Sequence, residues 1–194
     1  MGVHLNLAAI ADCNIEVLLE KPRLIWSVIS NDTQTASNKL AKSSPSSSTG
    51  EFQPVPALLP ETYRLQETLG EYWHMIHYLM CKEVWNGTMP EAFLLNGGTY
   101  VGDIDMGYGP ARVFDAEEVK VITQAILDRT PADLAKNFDA PRMMDFDIYP
   151  GFWDDDKFML DICLQRFKAL QHFLRHAVED ERGLVVYLTQ QTTH

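Results

Sequence analysis

Three groups of residues have types and spacings that could do chemistry. His74 and His77 stand three apart, so on a helix their rings share one face and could ligate one metal ion. A third ligand would have to come from elsewhere, and the residues between them, Met75 and Ile76, supply no HExxH glutamate. With Trp73 and Ile76 interleaved, the pattern favours histidines that sit in the core or line a pocket. The second group is Gly107-Tyr108-Gly109-Pro110-Ala111-Arg112, whose glycines and arginine could cradle a phosphate or carboxylate. It lacks both GxGxxG and GxxxxGK[ST] spacing, so a tight turn followed by a strand, with Arg112 pairing a carboxylate, is the favoured reading. The third is the run of Asp145, Asp147, Asp154, Asp155 and Asp156 around Tyr149 and Trp153. Paired carboxylates run acid/base chemistry only where their surroundings separate their pKa values. Two readings stay open for this run: negative charge at a helix N-terminus, or an acidic, aromatic contact surface for a basic partner, with Trp153 able to serve the core instead.

No GxSxG, CxxC or P-loop is present, so no catalytic residue, cofactor or metal is expected. Cys13, Cys81 and Cys163 are odd in number and far apart, which argues against disulfides and structural zinc and predicts small buried apolar residues. A net charge of −11 disfavours nucleic acid, whose binding rests on Lys and Arg neutralising phosphates, and favours a basic partner or simply solubility. No run approaches a membrane span and no leader pattern opens the chain, so a cytoplasmic location is expected.

The elements that must position these residues follow from periodicity. Val3, Leu5 and Leu7 alternate with His4 and Asn6 as in a half-buried strand, and Asp12 offers a cap for a helix through Ile15, Leu18 and Leu19. Pro22 opens a short second helix. Residues 31–52 are rich in Ser, Thr, Asn and Lys and read as a flexible polar insertion, and 53–60 as an extended, proline-rich approach. The spacing of Leu65, Leu69, Trp73, Ile76 and Leu79 predicts one long helix over 61–82, with Gly70 a weak point. Strand-like pieces separated by glycine turns follow from 92 to 113. Asp115 with Glu118 forms a capping box, and Thr130-Pro131 and Asp139-Ala-Pro141 repeat the cap signal. The longest helix carries Leu160, Cys163, Leu164, Phe167, Leu170 and Leu174, and Leu184 to Leu188 reads as a buried strand. One domain over residues 1–194 is the expectation: α+β, with a small sheet of N-terminal, central and C-terminal strands packed against several helices.

The Trp73-His74-x-x-His77 helix, the GYGPAR turn before a capped helix, and Ile148-Tyr-Pro-Gly-Phe-Trp153 occur in the order in which the chain resembles the bacterial YfbM-like family, a domain of unknown function. The resemblance reaches both ends of the chain and omits only residues 31–52. It implies a compact α+β domain and carries over no catalytic residue. Some relatives are encoded near secreted polymorphic toxins, which implies an immunity role; together with the net charge of −11 and the acidic, aromatic run, the expectation is a protein that neutralises a basic toxin domain, with Asp145, Asp147, Tyr149, Trp153, Asp154, Asp155 and Asp156 at the contact. The alternative is a small-molecule-binding protein or minor enzyme with a pocket lined by Trp73, His74, His77, Tyr108, Arg112 and Tyr149.

Overall fold

The computed structural model describes residues 2–29, 58, 65–151 and 156–191. Five antiparallel strands form one sheet in the order β2-β1-β5-β4-β3, where β1 is Gly2–Ile10, β2 Leu65–Gly70, β3 Thr99–Tyr100, β4 Arg112–Phe114 and β5 Gly183–Gln191. Sequence alternation sets the two faces of the central pair. In β1, Val3, Leu5, Leu7 and Ala9 face the larger core, and Ala8 and Ile10 a smaller core behind the sheet. In β5, Leu184 and Val186 face the first, and Val185 and Tyr187 the second. Pairing of Leu5 with Leu188 and of Leu7 with Val186 fixes this register, because a slip by one residue would exchange the two faces.

Seven α-helices lie among the described residues: α1 Asp12–Glu20, α2 Ile25–Ile29, α3 Trp73–Cys81, α4 Ala116–Leu127, α5 Pro131–Ala135, α6 Ala140–Asp145 and α7 Asp156–Glu179. The first two cover the smaller core through Ile15, Leu18, Ile25 and Val28. The other five build the larger one, where α7 lays Cys163, Phe167, Leu170, Leu174 and Ala177 along a single apolar stripe. The capping boxes at Asp115 with Glu118 and at Thr130 with Asp133 are formed, and the Asp139 side chain accepts from Arg142 N. No helix among the described residues is long and apolar enough to cross a membrane.

Three expectations are corrected. The single helix over 61–82 is a strand followed by a helix, β2 and then α3, joined at Gly70 with φ of 56°. Leu65 and Leu69 are four apart, a spacing that keeps one face in a helix and in a strand alike, and the exposed edge of β1 takes the strand. Asp12 does not cap its own helix, whose N-cap is Ala11. Its carboxylate accepts instead from Ala116 N at 3.0 Å, so it caps the first turn of α4 from the chain that leaves β1, and burial raises its pKa. Of the cysteines only Cys163 is buried; Cys81 is half-buried, and Cys13 is exposed because Ile15 and Leu18 define the inner face of α1. The 31–52 stretch lies outside the described residues.

Gly183, at the start of β5, is where α1, β4 and β5 converge. A Cβ there would lie 2.5 Å from the Phe114 carbonyl oxygen and overlap Ile15 Cδ1. Since the first of these is backbone and cannot rotate away, Gly183→Ala should destabilise the fold by about 1–3 kcal/mol, read as a lower urea midpoint with an unchanged m-value.

Candidate functional site

The helix that carries the histidines is buried on all sides. Every residue from Trp73 to Met80 is buried, which places α3 inside the larger core. Polar groups in such a helix must find protein partners. The Trp73 indole donates to Val3 O at 2.9 Å. The His74 ring stacks on Trp73 at 5.0 Å and meets Trp85 at 4.3 Å, and the two indoles also touch, 6.3 Å apart. Its Nδ1 accepts from Tyr149 N at 3.0 Å, which fixes the proton on Nε2, and Nε2 donates to Val84 O at 2.7 Å. His77 donates from Nε2 to Asn86 O at 3.0 Å. Burial pushes both rings below the usual imidazole range, His77 to about 4, so both are neutral at pH 7. Their lone pairs do not converge on one point, as a shared metal would require: the pair holds the carbonyls of the loop that returns from the helix, beginning at Lys82 with φ of 59°.

The GYGPAR segment is a tight turn followed by a strand. Met106 N bonds Gly109 O, and the Asp105 carboxylate accepts from Gly107 N and Gly109 N at 2.8 and 2.9 Å, with φ of 124° and 83° at the two glycines. Arg112 then opens β4. The expected carboxylate partner is replaced by main chain: its guanidinium donates to the carbonyls of Phe93, Leu94, Asn96 and Gly97 at 2.6–3.1 Å. The residue is 8% exposed and lies 5.8 Å from the centre of the Phe114 ring, and burial lowers its pKa to about 10, still charged at pH 7. The physical reason for the substitution is supply: residues 93–97 have no sheet or helix to satisfy their carbonyls, and a planar fork of donors meets several at once. Among the described residues no carboxylate pairs with it.

The six residues proposed to line one pocket are divided. Trp73, His74 and Tyr149 pack together under Trp85, while Tyr108 and Arg112 border a separate cavity of about 180 Å³ whose wall contains none of Trp73, His74, His77 or Tyr149. The third group is divided too. Asp145 and Asp147 are exposed at the end of α6, but Tyr149 is half-buried, stacked on Trp73 at 5.9 Å, accepting from Val3 N and donating to Glu71 Oε1. Burial, ahead of the nearby Glu71, raises its pKa. Trp153, Asp154 and Asp155 lie outside the described residues, and Asp156 begins α7. Two apolar side chains that sequence reasoning passed over, Met144 and Phe146, are 54% and 40% exposed beside Asp145 and Asp147. The signal for them was the end of the short helix capped by Asp139. A second omission is His172 with His176, whose HxxxH spacing on the long helix puts both rings on one face.

The sheet order, the buried Trp-His-x-x-His helix and the arginine-held loop define an α+β domain in which His74, His77 and Arg112 bind backbone. The chain belongs to the family described as Domain of unknown function (DUF1877), which matches residues 1–187. Among solved structures it is similar to a protein of unknown function, YfbM from Escherichia coli, at 13% identity and a TM-score of 0.64, over 96% of this chain and 99% of that one; at that identity the likeness is one of fold. No curated protein matches the chain.

The buried histidines make stability depend on pH. Their native pKa values lie below the unfolded value of about 6.5, so the unfolded chain takes up protons first as pH falls. Stability should therefore be intact above about pH 6.5 and decline towards pH 4, with His77 alone accounting for roughly 3 kcal/mol. In His77→Gln, whose amide can still donate to Asn86 O, urea denaturation from pH 7 to 4 should show a shallower decline than in the wild type.

Proposed function

We propose that this chain is a non-enzymatic cytoplasmic binding protein that neutralises a basic toxin domain of a bacterial competition system. The observation that carries the proposal is the corner at the end of α6, where Met144 and Phe146 are exposed beside Asp145 and Asp147. Phe146 is held against Tyr78 at 6.2 Å and under Arg142 at 5.4 Å, so it presents an apolar face without losing much side-chain freedom on binding. Asp147 has φ of 51°, which projects the chain outward before Ile148 re-enters the core. An ordered aromatic anchor flanked by carboxylates suits a basic partner, and the net charge of −11 adds long-range attraction to the encounter. The inward use of His74, His77 and Arg112 supports binding over catalysis.

The test is association with the basic domain of a secreted toxin encoded beside this protein, followed by stopped flow at several salt concentrations. Wild-type association should be fast at low salt and slow as salt rises; Asp145→Asn with Asp147→Asn should slow association severalfold, and Phe146→Ala should act on dissociation, at a cost of about 1–2 kcal/mol. Asparagine tolerates the left-handed backbone at 147, so the fold is kept. Rates that none of these changes alters would sink the assignment.

One observation favours a second reading, a small-molecule site. The charged Arg112, without a carboxylate among the described residues, lies in the wall of the 180 Å³ cavity with Tyr100, Tyr108, Leu94 and Leu188. A small carboxylate with an apolar body matches that lining. Calorimetry with benzoate should then give binding that Tyr108→Ala, a change at a 54% exposed position, weakens severalfold; no binding at millimolar benzoate removes this reading.

A further inference from the structure

His172 and His176 lie one helical turn apart on α7, with their Nε2 atoms 3.2 Å from each other. The rings meet edge to face, centroids 4.4 Å apart. His176 Nδ1 is 3.0 Å from Glu179 Oε2, so the carboxylate takes the Nδ1 proton's hydrogen bond and leaves the Nε2 lone pair facing the second ring. Two imidazoles that bind one ion at about 2.0–2.1 Å have their nitrogens roughly 3.0–3.4 Å apart, the lower figure for a right-angled pair and the upper for a tetrahedral one. The observed separation falls between them. Unlike His74 and His77, these rings are open to solvent, with 45% of the His176 side chain exposed, so an ion can reach them without the helix moving. A turn of the His172 ring about its Cβ–Cγ bond aims both lone pairs at one point, with the His172 proton carried on Nδ1.

We propose that His172 and His176 form a surface chelate for a late first-row divalent ion, with Glu179 orienting His176 and water filling the remaining positions. Imidazole donors suit copper, nickel and zinc, and the order of affinity for such a site is Cu²⁺ above Ni²⁺ and Zn²⁺. Glu179 is a positioning residue here: its oxygen holds the ring, and the ion is bound by nitrogen. The competing account is a plain imidazole hydrogen bond, Nε2–H to Nε2, which needs no ion.

The experiment is calorimetric titration of untagged protein with Zn²⁺, and separately Ni²⁺ and Cu²⁺, at neutral pH. The expected result is one ion per chain at submillimolar concentration or below, lost in His172→Ala and in His176→Ala, and weakened about 10–100-fold at unchanged stoichiometry in Glu179→Gln. His4→Ala and His194→Ala should bind as the wild type does. Zinc should also raise the melting temperature of the wild type and leave that of His172→Ala unmoved, since only the native helix holds both rings in place. No one-to-one binding below millimolar metal, or binding that survives His172→Ala, overturns the proposal, and an unchanged affinity in Glu179→Gln overturns the positioning role.

Discussion

The carbonyl groups of residues 82–98 present a constraint that the surrounding structure is arranged to meet. This segment runs against the larger core with neither helix nor sheet of its own, and a buried carbonyl without a partner costs about 1–3 kcal/mol. Three side chains from two elements provide the donors. His74 takes Val84, His77 takes Asn86, and Arg112 takes Phe93, Leu94, Asn96 and Gly97. Asn96 in turn donates to Trp85 O, and Trp85 covers His74. The same device recurs at helix ends, where Asn137 donates to Leu79 O and Gln171 to both Ile126 O and Arg129 O. Polar side chains act in this molecule as substitutes for missing secondary structure.

That use explains which parts of the sequence could be read. The ends of the chain, the α4 capping box and the α7 stripe were legible because each depends on local spacing that has one solution. Leu65 and Leu69 misled because their spacing serves two periods, and only the partner strand decides between them. Asp12 misled in another way: a carboxylate ahead of a helix looks like its cap, and nothing local says that it reaches 104 residues further along the chain to Ala116. For the candidate site, the residue types were legible and their partners were not. An arginine beside glycines suggests an anion, whereas the carbonyls it binds lie on a loop whose proximity only the sheet creates.

With His74, His77 and Arg112 turned inward, the domain keeps its chemical variety at the surface, at the α6 corner and along α7. These are places where a change of side chain leaves the core contacts as they are. The scaffold itself tolerates wide change of sequence, as 13% identity with a structure that still spans 96% of this chain shows.

The position of β5 has a further consequence. Of the five strands among the described residues, β5 is synthesised after the other four yet lies in the middle of the sheet, between β1 and β4. Until residues 183–191 leave the ribosome, β1 with β2 and β3 with β4 are two separate hairpin-like fragments, each with an unpaired edge. Joining them pairs Ile10 with Gly183 across a long stretch of sequence, the kind of contact that slows folding and lengthens exposure of apolar edges. Until β5 emerges, the inner edges of these two fragments stay open to aggregation or to a chaperone.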